Sequence, residues 1–210
     1  GFLRFLDGDV DLFPKVPPLR ADELRTRAGF ELIELPSLSY SFIGWNVLAP
    51  AAYVADRKAR GCGGGKECAE SDADILRLQR TKPHPVLADA RVRRALTLGI
   101  DRGDIVEGVW RGHAVAGSSP IPSPLWAHDP GAALPFDPVA AARLLDEAGF
   151  TGRDPDGVRT RAGRRLELRI LLNADNATRR DAFDRAAVSL TRLGVKLIGD
   201  AVPRAEFNAR

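Results

Sequence analysis

The stretch from Leu166 to Ile198 constrains this chain more than any other. Leu166, Leu168 and Ile170 alternate with Glu167 and Arg169, the period-two pattern of a strand with one buried face, and Leu171-Leu172 extend it. The period then lengthens to that of a helix, with Phe183, Ala186, Ala187, Leu190 and Leu193 on the inward side and Gly194 as its stop. Val195-Lys196-Leu197-Ile198 follows as a second strand. Strand, helix and strand in this order form a βαβ unit whose strands are expected to run parallel. The chain is therefore read as α/β, in a mixed α+β arrangement.

Upstream, aspartates punctuate the helices. Asp89 can cap a helix whose Val92, Ala95, Leu96 and Gly99 share a buried face, with Arg91, Arg93 and Arg94 turned away. Asp101 caps the next, which carries Ile105, Val106, Val109 and Trp110 and ends at Gly112. Asp137-Pro138 is an N-cap followed by proline at the first helical position, and Gly149 is the matching stop. Ala141, Leu144, Leu145 and Ala148 line one face between them. Residues 114–135 hold too many prolines for regular helix or central strand. Asp154-Pro155-Asp156-Gly157 reads as a turn.

The first part of the chain is less regular. Residues 2–13 read as a helix end, a turn at Gly8 and a short strand, residues 22–28 as a short helix capped by Asp22, and residues 30–35 and 40–47 as strands parted by Pro36-Ser37. Residues 49–83 break the pattern and read as a surface insertion with a weakly helical run to Pro83. Its Gly65-Lys66 does not make a phosphate-binding loop, because Arg60 and Glu67 stand where that motif needs Gly and Ser or Thr. Cys62 and Cys68 can close a small disulfide ring in an oxidising compartment. A zinc site needs four ligands, and only His84 lies near the two thiols, so no metal is assigned. The resulting division is 1–48, the insertion 49–83, and a main α/β body over 84–210.

Composition excludes several function classes. With 44% hydrophobic and 28% charged residues among 210, the chain is folded rather than disordered. No window approaches the roughly 18 apolar residues of a membrane helix. Of 31 basic residues only Lys15, Lys58, Lys66, Lys82 and Lys196 are lysines, and the arginines alternate with acids along helix faces; a net charge of +3 does not imply a nucleic-acid partner. Enzyme chemistry finds little footing, since His84, His113 and His128 all fall in predicted loops and no nucleophile motif surrounds any Ser. No cofactor is implied. There is no Met, and the start at Gly1 carries no signal-peptide pattern.

The order of motifs carries a resemblance. Asp89-Ala90-Arg91-Val92-Arg93-Arg94-Ala95-Leu96, Gly99-Ile100-Asp101-Arg102, Gly117-Ser118-Ser119-Pro120-Ile121-Pro122, and Asp137-Pro138 through Leu144-Leu145-Asp146-Glu147-Ala148-Gly149-Phe150 occur in sequence. Asp7-Gly8-Asp9-Val10-Asp11 and Phe42-Ile43-Gly44-Trp45-Asn46 precede them. Together they resemble the family 5 extracellular solute-binding proteins, the oligopeptide, dipeptide and nickel receptors of bacterial ABC importers. That resemblance implies a type II periplasmic-binding-protein-like lobe of an incomplete two-lobe receptor, with the first lobe missing and residues 1–48 starting the second. It also implies a small-molecule or peptide ligand held between hinged lobes, delivery to ABC transporter permease subunits, a periplasmic or extracytoplasmic location on the membrane-associated face, and membrane attachment only through a lipid anchor outside this sequence.

Few positions can inherit a ligand-binding role. Asn173 and Thr178 match the loop region where peptide-binding relatives touch ligand, Arg204 falls near a position that is aromatic in some of them, and Trp45 and Asn46 end a segment leading towards hinge and cleft. Each has a plainer reading. Trp45 is equally a core or lobe-interface aromatic, Asn46 can satisfy strand-end backbone, and Asn173, Asp175 and Asn176 can cap the following helix. Trp110 and Trp126 read as packing residues. The main functional reading is a ligand-capturing module of an importer without chemistry of its own. The alternatives are a cytoplasmic ligand sensor of a transcriptional regulator, built on the same fold, and a hydrolase.

Overall fold

The computed structural model describes residues 1–62 and 71–209. Its centre is the βαβ unit: β4 (Glu167–Asn173) and β5 (Lys196–Val202) pair in parallel from Glu167↔Lys196 to Asn173↔Val202, and α8 (Ala177–Arg192) connects them. Gly194 turns the chain into β5 with φ of 79°, a conformation that side chains with a Cβ rarely adopt. Gly199 in β5 lets α8 close down on the sheet, because a Cβ there would lie 3.0 Å from both Phe183 and Leu172.

Two helices complete the core. α5 (Ala90–Gly99) is capped by Asp89, whose carboxylate accepts from the Arg91 amide at 2.9 Å. α7 (Pro138–Glu147) is capped by Asp137, which accepts from the Ala140 amide at 2.8 Å. The two helices pack together through the periodic faces seen in the sequence, burying Val92, Ala95 and Leu96 against Ala141, Leu145 and Phe150. Each buried Leu contributes about 1.5–3 kcal/mol, far more than the exposed charges on the outer faces. α6 (Arg102–Trp110) starts at Asp101, which accepts from the Asp104 amide at 3.0 Å, and meets α8, where Arg185 crosses Gly108 to reach Asp104 at 2.8 Å.

Between α7 and β4 lies an antiparallel ribbon that the sequence shows only as a turn. β1 (Gly152–Arg153), β2 (Arg159–Arg161) and β3 (Arg164–Arg165) are joined by the Asp154–Gly157 turn and by Ala162-Gly163, both with positive φ as a two-residue hairpin requires.

The first 48 residues depart from expectation. α1 (Phe2–Leu6) and the Gly8 turn form, but no strand follows at 10–13; Phe13 instead folds back on Phe2 and Phe5 with ring centroids 5.5 and 6.0 Å apart. α2 (Pro18–Thr26) begins at a proline rather than at Asp22, which lies inside it and turns outward to Arg111. Residues 30–35 and 40–47 are not strands. β-rich runs need a partner for their backbone groups, and among the described residues the nearest pairing is a single bridge, Leu48↔Pro83. Leu35 and Phe42 are accordingly 81% and 77% exposed.

Residues 49–83, read from the sequence as an insertion, are more helical in their described part than their polar composition suggests. α3 (Pro50–Ala59) and α4 (Asp72–Thr81) are clamped by Asp56, which accepts from Arg60 at 2.9 Å and Arg77 at 2.7 Å. Cys62 ends the first of these arms; its expected ring partner Cys68 lies outside the described residues. α9 (Arg204–Ala209) closes the described chain. Trp110 is half-buried, whereas Trp126 is 97% exposed, contrary to the packing role expected of it; it sits on a loop whose Ser118 and His128 bonds run to Asp129 and Ile121 of the same loop.

Candidate functional site

Parallel strands direct their carboxyl ends to one side, and open α/β sheets take ligands there. In this chain that end is formed by Asn173, by the loop to α8, and by the step from β5 into α9. Asn173 Oδ1 accepts from the Asp175 amide at 2.9 Å. Asn176 caps α8, accepting from the Arg179 amide at 2.9 Å. The Ala174 amide donates to the Val202 carbonyl at 2.8 Å, and Asp175 Oδ2 accepts from the Arg204 amide at 3.1 Å. One loop therefore fixes the starts of both helices.

These bonds absorb the acceptors and leave donors. The Asn173 amide nitrogen, the Thr178 hydroxyl and the exposed Arg204 guanidinium have no hydrogen-bond partner among the described residues. Asn176 takes the capping role expected of it, and Asn173, Thr178 and Arg204 lie at the carboxyl end of the strand pair. What sequence reasoning missed is Asp175 as the tie to Arg204. A contact across 29 positions has no local signature.

Trp45 and Asn46 lie in a second place. The half-buried Trp45 ring packs on the main core and its Nε1 donates to Thr97 Oγ1 at 3.4 Å. Asn46 is exposed and its Oδ1 accepts from the Leu48 amide at 2.9 Å. Among the described residues no hydrogen bond or ion pair connects this pair to Asn173, Thr178 or Arg204.

Other concentrations of polar groups have structural explanations. Arg111 holds the Asp22 carboxyl below the usual carboxylate range, Arg77 does so for Asp56, and Arg91 for Asp89; in each case a charge-assisted hydrogen bond is the leading cause. Ser118 Oγ lies 3.4 Å from His128 Nε2, but the hydroxyl donates to the Asp129 carbonyl at 2.8 Å, and His128 Nδ1 sits 2.7 Å from the Ile121 carbonyl. This arrangement braces the proline-rich loop. A cavity of about 240 Å³ between Arg102, Gly117 and Phe136 and another of about 210 Å³ beside Thr191 and Lys196 contain none of the five candidate residues. Among the described residues no group of three or more His, Cys, Asp or Glu is placed to hold a metal.

The body is thus a parallel βαβ unit with side-chain donors gathered at its carboxyl end. The family described as bacterial extracellular solute-binding proteins, family 5 Middle, matches residues 2–209, and the chain belongs to it. This is a family of binding proteins, extracytoplasmic in bacteria. Over 196 residues the chain is 24% identical to the oligopeptide-binding protein AppA of Bacillus subtilis, covering 90% of this chain and 29% of that protein. It is 36% identical over 150 residues to the dipeptide-binding protein of Escherichia coli, covering 71% and 22% respectively. In fold it resembles the structure of B. subtilis AppA in complex with a nonapeptide, with a TM-score of 0.68 at 20% identity over 99% of this chain and 34% of that one. The chain spans between 11% and 29% of the length of the curated relatives it matches.

Proposed function

We propose that this chain forms part of the ligand-holding lobe of an ABC importer's solute receptor, and that its ligand is a peptide. The observation that carries this reading is the set of uncommitted donors on Asn173, Thr178 and Arg204 at the carboxyl end of the parallel pair. Main-chain carbonyls and a terminal carboxylate are acceptors, so such a set suits a peptide backbone and demands little of its side chains. Capture proceeds by closure of two lobes, with contacts to both favouring the closed state, and the loaded receptor then delivers its ligand to the permease subunits. Trp45 and Asn46, on the segment packed against the core, serve the lobe's approach to the hinge. The receptor works on the outer side of the cytoplasmic membrane, held there by an anchor, and oxidation of Cys62 with Cys68 accompanies that location.

One lobe offers only part of the contacts, so the 210-residue chain binds more weakly than about 1 μM. Titrating di- to pentapeptides into the isotopically labelled chain is expected to shift the amide resonances of residues 173–178 and 202–204. Shifts confined to other surfaces, or calorimetry giving sub-micromolar affinity for this chain alone, would contradict the reading. Free thiols at Cys62 and Cys68 in material isolated without reductant would count against the extracytoplasmic location.

A further inference from the structure

His84 stands where the excursion of residues 49–83 returns to the body. Its amide donates to the Val47 carbonyl at 2.8 Å, and the neighbouring Ala49 amide donates to the Lys82 carbonyl at 3.0 Å, closing the base of the excursion around the Leu48↔Pro83 bridge. The half-buried ring faces the other way. Its Nδ1 accepts from two backbone amides, Val86 at 3.1 Å and Leu87 at 2.9 Å, in the turn that places the buried Val86 and Leu87 side chains in the core ahead of α5.

Only one form of the ring fits. A nitrogen that accepts from two N–H groups carries no proton, so the ring is the neutral tautomer with its hydrogen on Nε2. Protonation places a third donor against two donors and breaks both bonds. The charged groups around the turn also oppose a positive ring. Arg164 at the start of β3 acts on it directly, Arg161 donates to the Pro85 carbonyl at 2.9 Å, and Arg93 donates to the carbonyls of Leu87 and Ala88 at 2.6 and 2.9 Å. Asp89, which follows this turn in the sequence, is occupied by Arg91 at 2.7 Å and lies 3.9 Å from Arg161. Among the described residues no carboxylate forms an ion pair with His84.

We propose that His84 is an acid-released latch on its own turn: neutral, its ring holds the backbone of residues 84–87 where the 49–83 excursion rejoins the body, and protonation loosens that turn while the βαβ unit stays intact. Burial, followed by the Arg164 charge, pushes the His84 ring below its ordinary value. The sign follows from that direction. A histidine depressed in the folded state contributes stability that is complete above about pH 6.5 and is lost as the pH falls through the lower folded value. Trp45 keeps its packing on the core and its bond to Thr97, so mild acid loosens the turn and leaves Asn173, Thr178 and Arg204 in place.

Amide hydrogen exchange of the 210-residue chain at pH 7.5 and 5.5, corrected for the intrinsic pH dependence of exchange, tests the latch. The amides of Val86 and Leu87, which donate to the ring, are expected to lose about fivefold in protection on acidification, the size of one net hydrogen bond, while those of β4, β5 and α8 do not change. His84→Asn puts a non-titrating acceptor near the Nδ1 position and is expected to abolish the pH effect; His84→Leu is expected to show the loosened state at both pH values. Equal protection of the wild-type turn at both pH values overturns the proposal, as does an unchanged pH effect in His84→Asn. Nitrogen chemical shifts of the wild-type ring give a readout independent of either variant folding, and a neutral form protonated on Nδ1 would also overturn it.

Discussion

The Arg159 guanidinium donates from Nε to the carbonyl of Leu193, 2.9 Å away, joining the edge ribbon to the last turn of the α8 segment. The same side chain reaches the Phe150 carbonyl at 2.8 Å and the Asp146 carboxylate, so one arginine ties together the ends of α7 and α8 and the start of β2. It is only 7% exposed, although it lies in the basic run from Arg159 to Arg165. Removing it leaves two carbonyls at a buried junction without a donor. Arg159→Leu is expected to lower stability by about 2–4 kcal/mol in urea titrations. Asp146→Asn is expected to cost under about 1 kcal/mol, because that carboxylate is half exposed. Equal losses from the two variants would show that the ion pair, and not the carbonyl bonds, matters at this junction.

Gly99 sets the distance between α5 and α8. A Cβ at this position would lie 2.3 Å from Leu193 Cδ1 and 3.1 Å from Leu190 Cδ2. Both leucines are in the core and have little room to yield. Gly99→Ala is therefore expected to destabilise by about 1–3 kcal/mol even though alanine is the better helix former. Combining it with Leu193→Ala should recover part of the loss, giving a favourable coupling in a double-mutant cycle. Strict additivity would mean that the helices shift apart rather than clash.

These two residues mark where sequence reading stops. Asp89, Asp101, Asp137-Pro138 and Gly149 are legible because a cap is chemistry between residues two or three positions apart, and the βαβ unit is legible because its strand and helix periods differ. Asn173, Thr178 and Arg204 are reached through the family resemblance, because no local pattern marks a ligand contact. Arg159 looks like any other solvated arginine until the fold wraps three elements around it. The runs at 30–35 and 40–47 have strand composition, but composition does not supply a partner strand. Trp126 fails as a packing residue because the proline-rich loop around it cannot be placed from periodicity.

Asp89 couples the α5 cap to acid stability. Its carboxylate accepts from the Arg91 amide and side chain, and the Arg91 hydrogen bond outweighs burial in holding the group below the usual carboxylate range. A carboxyl depressed in the fold contributes stability that is present above about pH 4 and lost as the pH falls through its lower folded value. Asp89→Asn is expected to reduce stability at pH 7 and to flatten the decline of the unfolding midpoint between about pH 4 and pH 2. A variant curve parallel to the wild type over that interval would assign the acid sensitivity to other carboxylates.

Asp175 connects the two helix starts at the proposed ligand site through its bond to the Arg204 amide at 3.1 Å. α9 has only six residues, too few to hold itself together without such a tie. Asp175→Ala is expected to leave global stability within about 1 kcal/mol, as for other lost caps, but to raise amide exchange across residues 204–209 to near that of an unfolded segment. Because Arg204 is aimed by this tie, peptide-induced shifts at residues 202–204 should also vanish while those at 173–178 weaken. Asp175→Asn keeps an acceptor oxygen and is expected to restore both. If α9 keeps its protection in Asp175→Ala, packing alone positions Arg204, and the loop between β4 and α8 does not organise the site.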